Sequence, residues 1–138
     1  MTDFIKLPLE ENETRLTEIL DAYQKEHTGL SQQKQQTFSM GAYSDGNYIG
    51  GIIANTWMNN THVSLLAVDR HHRKAGLGSR LLKHAEAFAR QQQSEIVTLN
   101  TLDFQAKDFY EKHGYQVFGT LADCPLKGIT KYYLVKRL

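Results

Sequence analysis

Val68-Asp69-Arg70-His71-His72-Arg73-Lys74-Ala75-Gly76-Leu77-Gly78-Ser79-Arg80-Leu81 reads as the end of an apolar strand, a basic glycine-bearing turn and the start of an amphipathic helix. Such a turn aims several backbone N–H groups at one point, and a helix N-terminus adds the positive end of its dipole. Arg70, His71, His72, Arg73 and Lys74 surround the same point with positive charge. Together they describe a phosphate cradle. It is not a Walker loop, because no Gly-x4-Gly-Lys-Ser/Thr run exists in the chain. Nor is it a dinucleotide fingerprint, since Leu81 stands where the third glycine would be needed.

Working outward, Thr61 to Val68 is the strand that feeds the turn, ending in the apolar run Leu65-Leu66-Ala67-Val68. Upstream, Thr37–Tyr43 and Tyr48–Thr56 flank Ser44-Asp45-Gly46-Asn47, a hairpin turn signal, and Asn59-Asn60 marks a second turn. Leu16, Ile19, Leu20 and Tyr23 follow helical spacing between Thr14 and about His27, with Gly29 as the stop. Phe4-Ile5-Lys6-Leu7 is a short strand candidate ended by Pro8. Downstream of the turn, Leu77, Leu81, Leu82, Ala85, Phe88 and Ala89 make one helical stripe. Ile96–Thr101 is a strand, Gln105–His113 a helix closed by Gly114, and Tyr115–Thr120 and Lys131–Lys136 are the last two strands. The expected order is β-α-β-β-β-α-β-α-β-β. Hairpins giving way to strand–helix–strand units imply an α/β (α+β) fold with a mixed central sheet flanked by helices, in a single domain over residues 1–138.

A second informative run is Asp103-Phe104-Gln105-Ala106-Lys107-Asp108-Phe109-Tyr110-Glu111-Lys112-His113-Gly114-Tyr115, in which Ala106 and Tyr110 share a helix face. The spacing Arg73-x-x-Gly76-x-Gly78 resembles the pyrophosphate-binding motif of the GNAT acyl-CoA-dependent N-acyltransferases. The second run is similar to that family's Asn-x-x-Ala-x-x-Phe-Tyr motif before Gly-Phe, with Asp103 in place of Asn and Tyr115 in place of Phe. Two motifs in the right order are far more specific than either alone, and the resemblance runs from Thr61 to Tyr115.

The resemblance implies an enzyme that moves an acetyl group from acetyl-CoA to a primary amine by direct attack in a ternary complex. The cofactor pyrophosphate is expected on backbone N–H groups from Arg73, Lys74, Ala75, Gly76, Leu77, Gly78 and Ser79, with close approach at Gly76 and Gly78. Val68 is expected to hydrogen-bond the pantetheine arm and to offer its N–H to the oxyanion. Asp103 and Ala106 complete the cofactor-binding set. Tyr110 matches the tyrosine beside the thioester sulfur, where its phenol protonates the departing thiolate. His62, five residues ahead of the Ala67-Val68 pair, stands where family members often carry a glutamate base, and an imidazole is competent for that task; Ser64 is a lesser candidate.

Composition bounds the alternatives. The 138 residues are 41% hydrophobic and 22% charged with a formal net charge of +1, so charge gives no sign of a nucleic-acid or membrane-surface partner. Met1-Thr2-Asp3-Phe4-Ile5-Lys6 has no signal-peptide pattern, and Cys124 is the single cysteine, which fits a cytoplasmic, reducing compartment. The adjacent pair His71-His72 does not have metal-ligand spacing, and no metal is expected. Trp57 reads as a sheet-edge aromatic and Cys124 as an inert loop thiol. A non-catalytic acyl-CoA-binding module and an acetyltransferase of protein lysines or N-termini are the competing readings, with a small amine favoured as acceptor. The family resemblance also implies a homodimer.

Overall fold

The structure, a computed structural model, describes residues 1–31 and 34–138. Met1–Lys34 and Gln35–Leu138 are two compact units. The first holds α1 (Leu9–Thr28), whose N-cap is Pro8 and whose first helical bond runs from Asn12 N–H to Pro8 O, 3.1 Å. Glu10 and Glu11 occupy the first turn, where the helix dipole favours them. Gly29 closes the helix at φ 74°, a left-handed conformation that suits glycine. The short strand expected at Phe4–Leu7 is absent; Pro8, with φ −56°, is pre-set to enter a helix and α1 begins at once.

The second unit contains β1 (Gln36–Ser44), β2 (Asn47–Trp57), β3 (Asn60–Val68), α2 (Leu77–Gln91), β4 (Ile96–Leu102), α3 (Lys107–Lys112), β5 (Gln116–Ala122) and β6 (Thr130–Arg137). Apart from the missing first strand, the elements come in the expected order. The six strands form one mixed sheet ordered β1-β2-β3-β4-β6-β5, parallel only between β3 and β4. Asp45 and Gly46, at φ 51° and 79°, make the β1–β2 turn whose twist matches the strands. Among the described residues, no helix is long and apolar enough to cross a membrane.

One face of the sheet carries the core. Ile52, Ala54, Val63, Val97, Leu99 and Leu134 alternate along their strands and meet Leu81, Leu82, Ala85 and Ala89 of α2 and Tyr110 of α3. The polar members of this interior are paired. Thr61 Oγ1 is 2.6 Å from Thr56 Oγ1 and 2.7 Å from Ser94 Oγ. Buried Glu86 accepts from Tyr115 Oη at 2.8 Å and Lys136 Nζ at 3.0 Å. Tyr115 therefore spends on α2 the hydroxyl that a phenylalanine would lack. Burial and the Glu86 acceptor both hold that phenol well above its ordinary pKa.

Candidate functional site

The site begins with a broken ladder. β3 pairs with β4 only at Asn60↔Ile96, Thr61↔Val97 and His62↔Thr98. Just beyond, Ala54 faces Val63 while Ile53 faces Leu65, so Ser64 is an extra residue in a bulge. A bulge bends its strand and increases the local twist, and here β3 parts from β4. Between them opens a cavity of about 990 Å³, with Val63–Val68 on one wall and Leu99–Leu102 on the other.

The pairing of β3 decides which backbone groups the gap receives. Asp69 N–H donates to Ile49 O on β2 at 2.7 Å. Peptide groups alternate in direction along a strand, so the N–H and C=O of Val68 point away from β2, toward the gap. The C=O is taken by Arg73 Nε at 3.1 Å; the N–H faces the gap. That bond also folds the Arg73 side chain back over the turn.

At one end of the cavity lies the start of α2. Its first helical bond is Arg80 N–H to Gly76 O, 3.2 Å, and no side chain caps it. The N–H groups of Leu77, Gly78 and Ser79 are thus without helical partners, and all three residues line the cavity beside Arg73 and Lys74. The two glycines serve different ends. Gly76, at φ 74°, has open space around it and is required for its left-handed backbone. A Cβ on Gly78 would sit 3.4 Å from Phe109 Cζ and 3.9 Å from Val68 Cγ2, inside the passage itself. Ala75, expected in the cradle, is not among the lining residues, and neither are Arg70, His71 or His72. His72 instead faces Asp69 at 3.1 Å across an exposed 3-10 turn, and this contact lowers the Asp69 pKa.

The other motif borders the same space. Ala106, Phe109 and Tyr110 all line the cavity. The helix expected from Gln105 begins only at Lys107, because Ala106 is held at φ −140°. Gln105 Oε1 accepts from Leu102 N–H at 2.8 Å and from Thr101 Oγ1 at 3.2 Å, shaping the turn into α3. Tyr110 is only 7% exposed. Its ring meets Phe109 and Tyr115 edge-on at 5.1 and 5.9 Å, and its hydroxyl has no hydrogen-bond partner among the described residues. Burial raises the phenol pKa, so the hydroxyl keeps its proton at neutral pH.

Two expected site residues lie elsewhere. His62 stands at the last rung where β3 and β4 are still joined, and Thr61 and Val63 on either side of it face the core. Alternation puts its ring on the opposite face, where Nδ1 lies 2.9 Å from Thr98 Oγ1 and burial lowers its pKa. It does not line the cavity, which opens only after it. Asp103 is also off the wall; its carboxylate accepts from Thr130 N–H at 3.0 Å and ties the end of β4 to the start of β6. Ser64 does line the wall, with its hydroxyl donating to Ile53 O at 3.2 Å.

His113 escaped the motif reading. Its Nδ1 is 2.8 Å from Phe109 O, an acceptor only, so Nδ1 carries the proton. Nε2 is then free to accept from Ser79 Oγ, also at 2.8 Å. The ring joins the end of α3 to the first turn of α2, and so links the two motifs.

These features suit a ligand with phosphates at one end and an amide-bearing arm. Orphan N–H groups and two cations can meet phosphates, and two unpaired strand edges can bond an arm threaded between them. A model of the acetyltransferase (GNAT) domain matches residues 7–129. A blasticidin-S acetyltransferase of Streptomyces morookaense is 44% identical over 94 residues, 67% of this chain and 68% of that protein. A crystal structure of an acetyltransferase from Bacillus cereus superposes with TM-score 0.83 at 28% identity, covering 99% of this chain and 98% of that one. A structure from Agrobacterium tumefaciens superposes with TM-score 0.77 at 25% identity over 100% and 99% of the two chains.

Proposed function

The chain belongs to the GNAT acetyltransferase family, and on that premise we propose that it transfers an acetyl group from acetyl-CoA to a primary amine of a small molecule in the cleft between β3 and β4. The observation that carries the reading is the hydroxyl of buried Tyr110, without a partner among the described residues, in the same cavity as the uncapped start of α2. Leu77, Gly78 and Ser79 N–H groups, with Arg73 and Lys74, hold the pyrophosphate. The pantetheine amides bond the free edges of β3 and β4, and the acetyl carbonyl comes to rest at Val68 N–H. As the amine nitrogen attacks the carbonyl carbon, charge builds on oxygen and Val68 N–H stabilises it. The C–S bond breaks, and the thiolate takes the proton of Tyr110. The proton lost by the amine passes through water and restores the phenol. Among the described residues, no lining side chain is a histidine or a carboxylate, and on that ground we assign the amine's proton to water rather than to His62.

The concave cleft favours a small acceptor over a protein tail, as does the relative that acts on blasticidin S. The family match begins inside the first unit and runs through most of the second, which supports reading residues 1–138 as one domain. The single cysteine supports a reducing, cytoplasmic setting. The test is CoA thiol release from acetyl-CoA across primary amines, polyamines, amino acids and lysine peptides. Release that depends on one class of small amine is expected. Acetyl-CoA binding without release by any amine would instead favour a non-catalytic binding module.

A further inference from the structure

The cleft passes through the sheet, and its two mouths differ in chemistry. α2 and α3 sit on the core face, so the cradle of Gly76–Ser79 opens there. On β6, Leu134 is buried in the core and Tyr132 packs against it, so alternation sends Lys131 and Tyr133 to the opposite face. Lys131 Nζ indeed stands over the Tyr133 ring, 5.3 Å from its centroid. On β4, Val97, Leu99 and Thr101 are buried, which turns Asn100 and Leu102 to that same opposite face. Past the bulge on β3, Leu66 and Val68 pack on the core, leaving Leu65 and Ala67 on the other side. Leu65, Asn100, Leu102 and Lys131 all line the cleft, and they define its second mouth.

That mouth is apolar with one charge. Leu65 and Phe104, two large apolar side chains, both line the cleft. Among the described residues Lys131 is its only charged lining residue, and it has no carboxylate partner there, only the face of Tyr133. Among the described residues the cleft is lined by the charged side chains of Arg73, Lys74 and Lys131 and by no Asp or Glu. Arg73 and Lys74 belong to the cradle. Building on the acetyl-transfer reading, we infer that the second mouth takes an amine carried on an apolar body that also bears a carboxylate, with Lys131 pairing the carboxylate and Leu65 and Phe104 covering the body. A cationic polyamine meets Lys131 and no carboxylate among the described lining residues, and is disfavoured. Lys131 is then the specificity-determining residue of the acceptor side, distinct from the groups that hold the cofactor.

The test uses matched acceptors: the para and meta isomers of aminomethylbenzoate, their neutral amides, and the corresponding bis(aminomethyl)benzenes. The amine is nearly the same nucleophile in each, so only the distal group changes. Two quantities are read: kcat/KM for CoA release, and equilibrium binding of each acceptor to the CoA-loaded enzyme. At least one acid is expected to exceed its amide about tenfold or more in both, with the diamine weakest, as suits a charge-assisted hydrogen bond. Lys131→Gln should erase that preference by weakening the acid alone, with KM for acetyl-CoA unchanged, and Lys131→Arg should restore it. Equal binding of acids and amides, a preference for the diamine, or no acid binding overturns the inference. So does a Lys131→Gln variant that keeps the preference and raises KM for acetyl-CoA, which would assign Lys131 to the cofactor. Acid-selective binding lost in Lys131→Gln, without turnover of any amine, would uphold the inference and sink the acetyl-transfer reading instead.

Discussion

Removing one oxygen atom, in Tyr110→Phe, separates chemistry from architecture. The ring is buried against Phe109 and Tyr115, and phenylalanine keeps those contacts. The hydroxyl has no partner to lose among the described residues, and an unsatisfied buried hydroxyl costs the folded state about 1–3 kcal/mol. Stability should therefore hold or rise, with Tm within a few degrees of the parent or above it. Catalysis should not hold. Burial places the phenol above its ordinary pKa of about 10, while a thiol sits near about 8.5. Full proton transfer is thus uphill by at least about 2 kcal/mol, small against the barriers that enzymes lower. Loss of a positioned acid lowers rates by about 10²- to 10⁴-fold, and that is the expected fall in kcat. Because the phenol acts on sulfur only as the C–S bond breaks, acetyl-CoA affinity should change by less than about threefold, within the weight of a single hydrogen bond. Steady-state thiol release, calorimetric titration with acetyl-CoA and thermal unfolding measure the three quantities. A drop in Tm with parallel losses of binding and turnover would make Tyr110 a structural residue. An unchanged kcat would remove it from the mechanism.

Gly78→Val puts carbon into the passage beside Phe109 and should raise the Kd for acetyl-CoA tenfold or more while the protein still folds, since the backbone at 78 is helical; retained affinity would place the cofactor elsewhere. Ser79→Ala and His113→Leu should each weaken acetyl-CoA binding, and a double-mutant cycle should show coupling of about 0.5–1.5 kcal/mol through the 2.8 Å bond between them. Additive effects would mean that the histidine does not act through the serine. For His62, burial lowers the folded-state pKa below about 6.5, so the unfolded chain binds more protons just under that pH. The contribution is present above pH ~6.5 and is lost as pH falls through the lowered pKa. His62→Asn should flatten the Tm–pH curve in that window and leave the acidic limb of the pH–rate profile in place; loss of the limb would return His62 to the chemistry.

The parts of the site that were legible in the sequence are those fixed by local backbone chemistry. Gly76 before Leu77 announces a helix start with orphan N–H groups, and Ala106 with Tyr110 announces a shared helix face; both follow from residues a few positions apart. Where the structure places site residues away from their expected surroundings, pairings between distant segments are the cause. Counting back from Ala67-Val68 locates His62 along β3, but whether it faces the cleft depends on the extra residue at Ser64 and on the rung His62↔Thr98. The apolar run Leu65–Val68 hides that bulge, because its alternation cannot be seen when both faces are apolar. Asp103 likewise looks like a cofactor ligand until Thr130, 27 positions away, takes its carboxylate. Such contacts follow from closure of the sheet rather than from any local preference. The same closure creates what spacing could not suggest. The splaying of β3 from β4 exposes Val68 N–H, carries the cleft through the sheet, and brings Lys131 of the last strand to its far mouth. Motifs in this chain thus mark the α2 end of the cleft, which consecutive residues build and where we propose that the cofactor binds. The far mouth, proposed for the acceptor, is assembled from single residues of separate strands and becomes readable only once the sheet has formed.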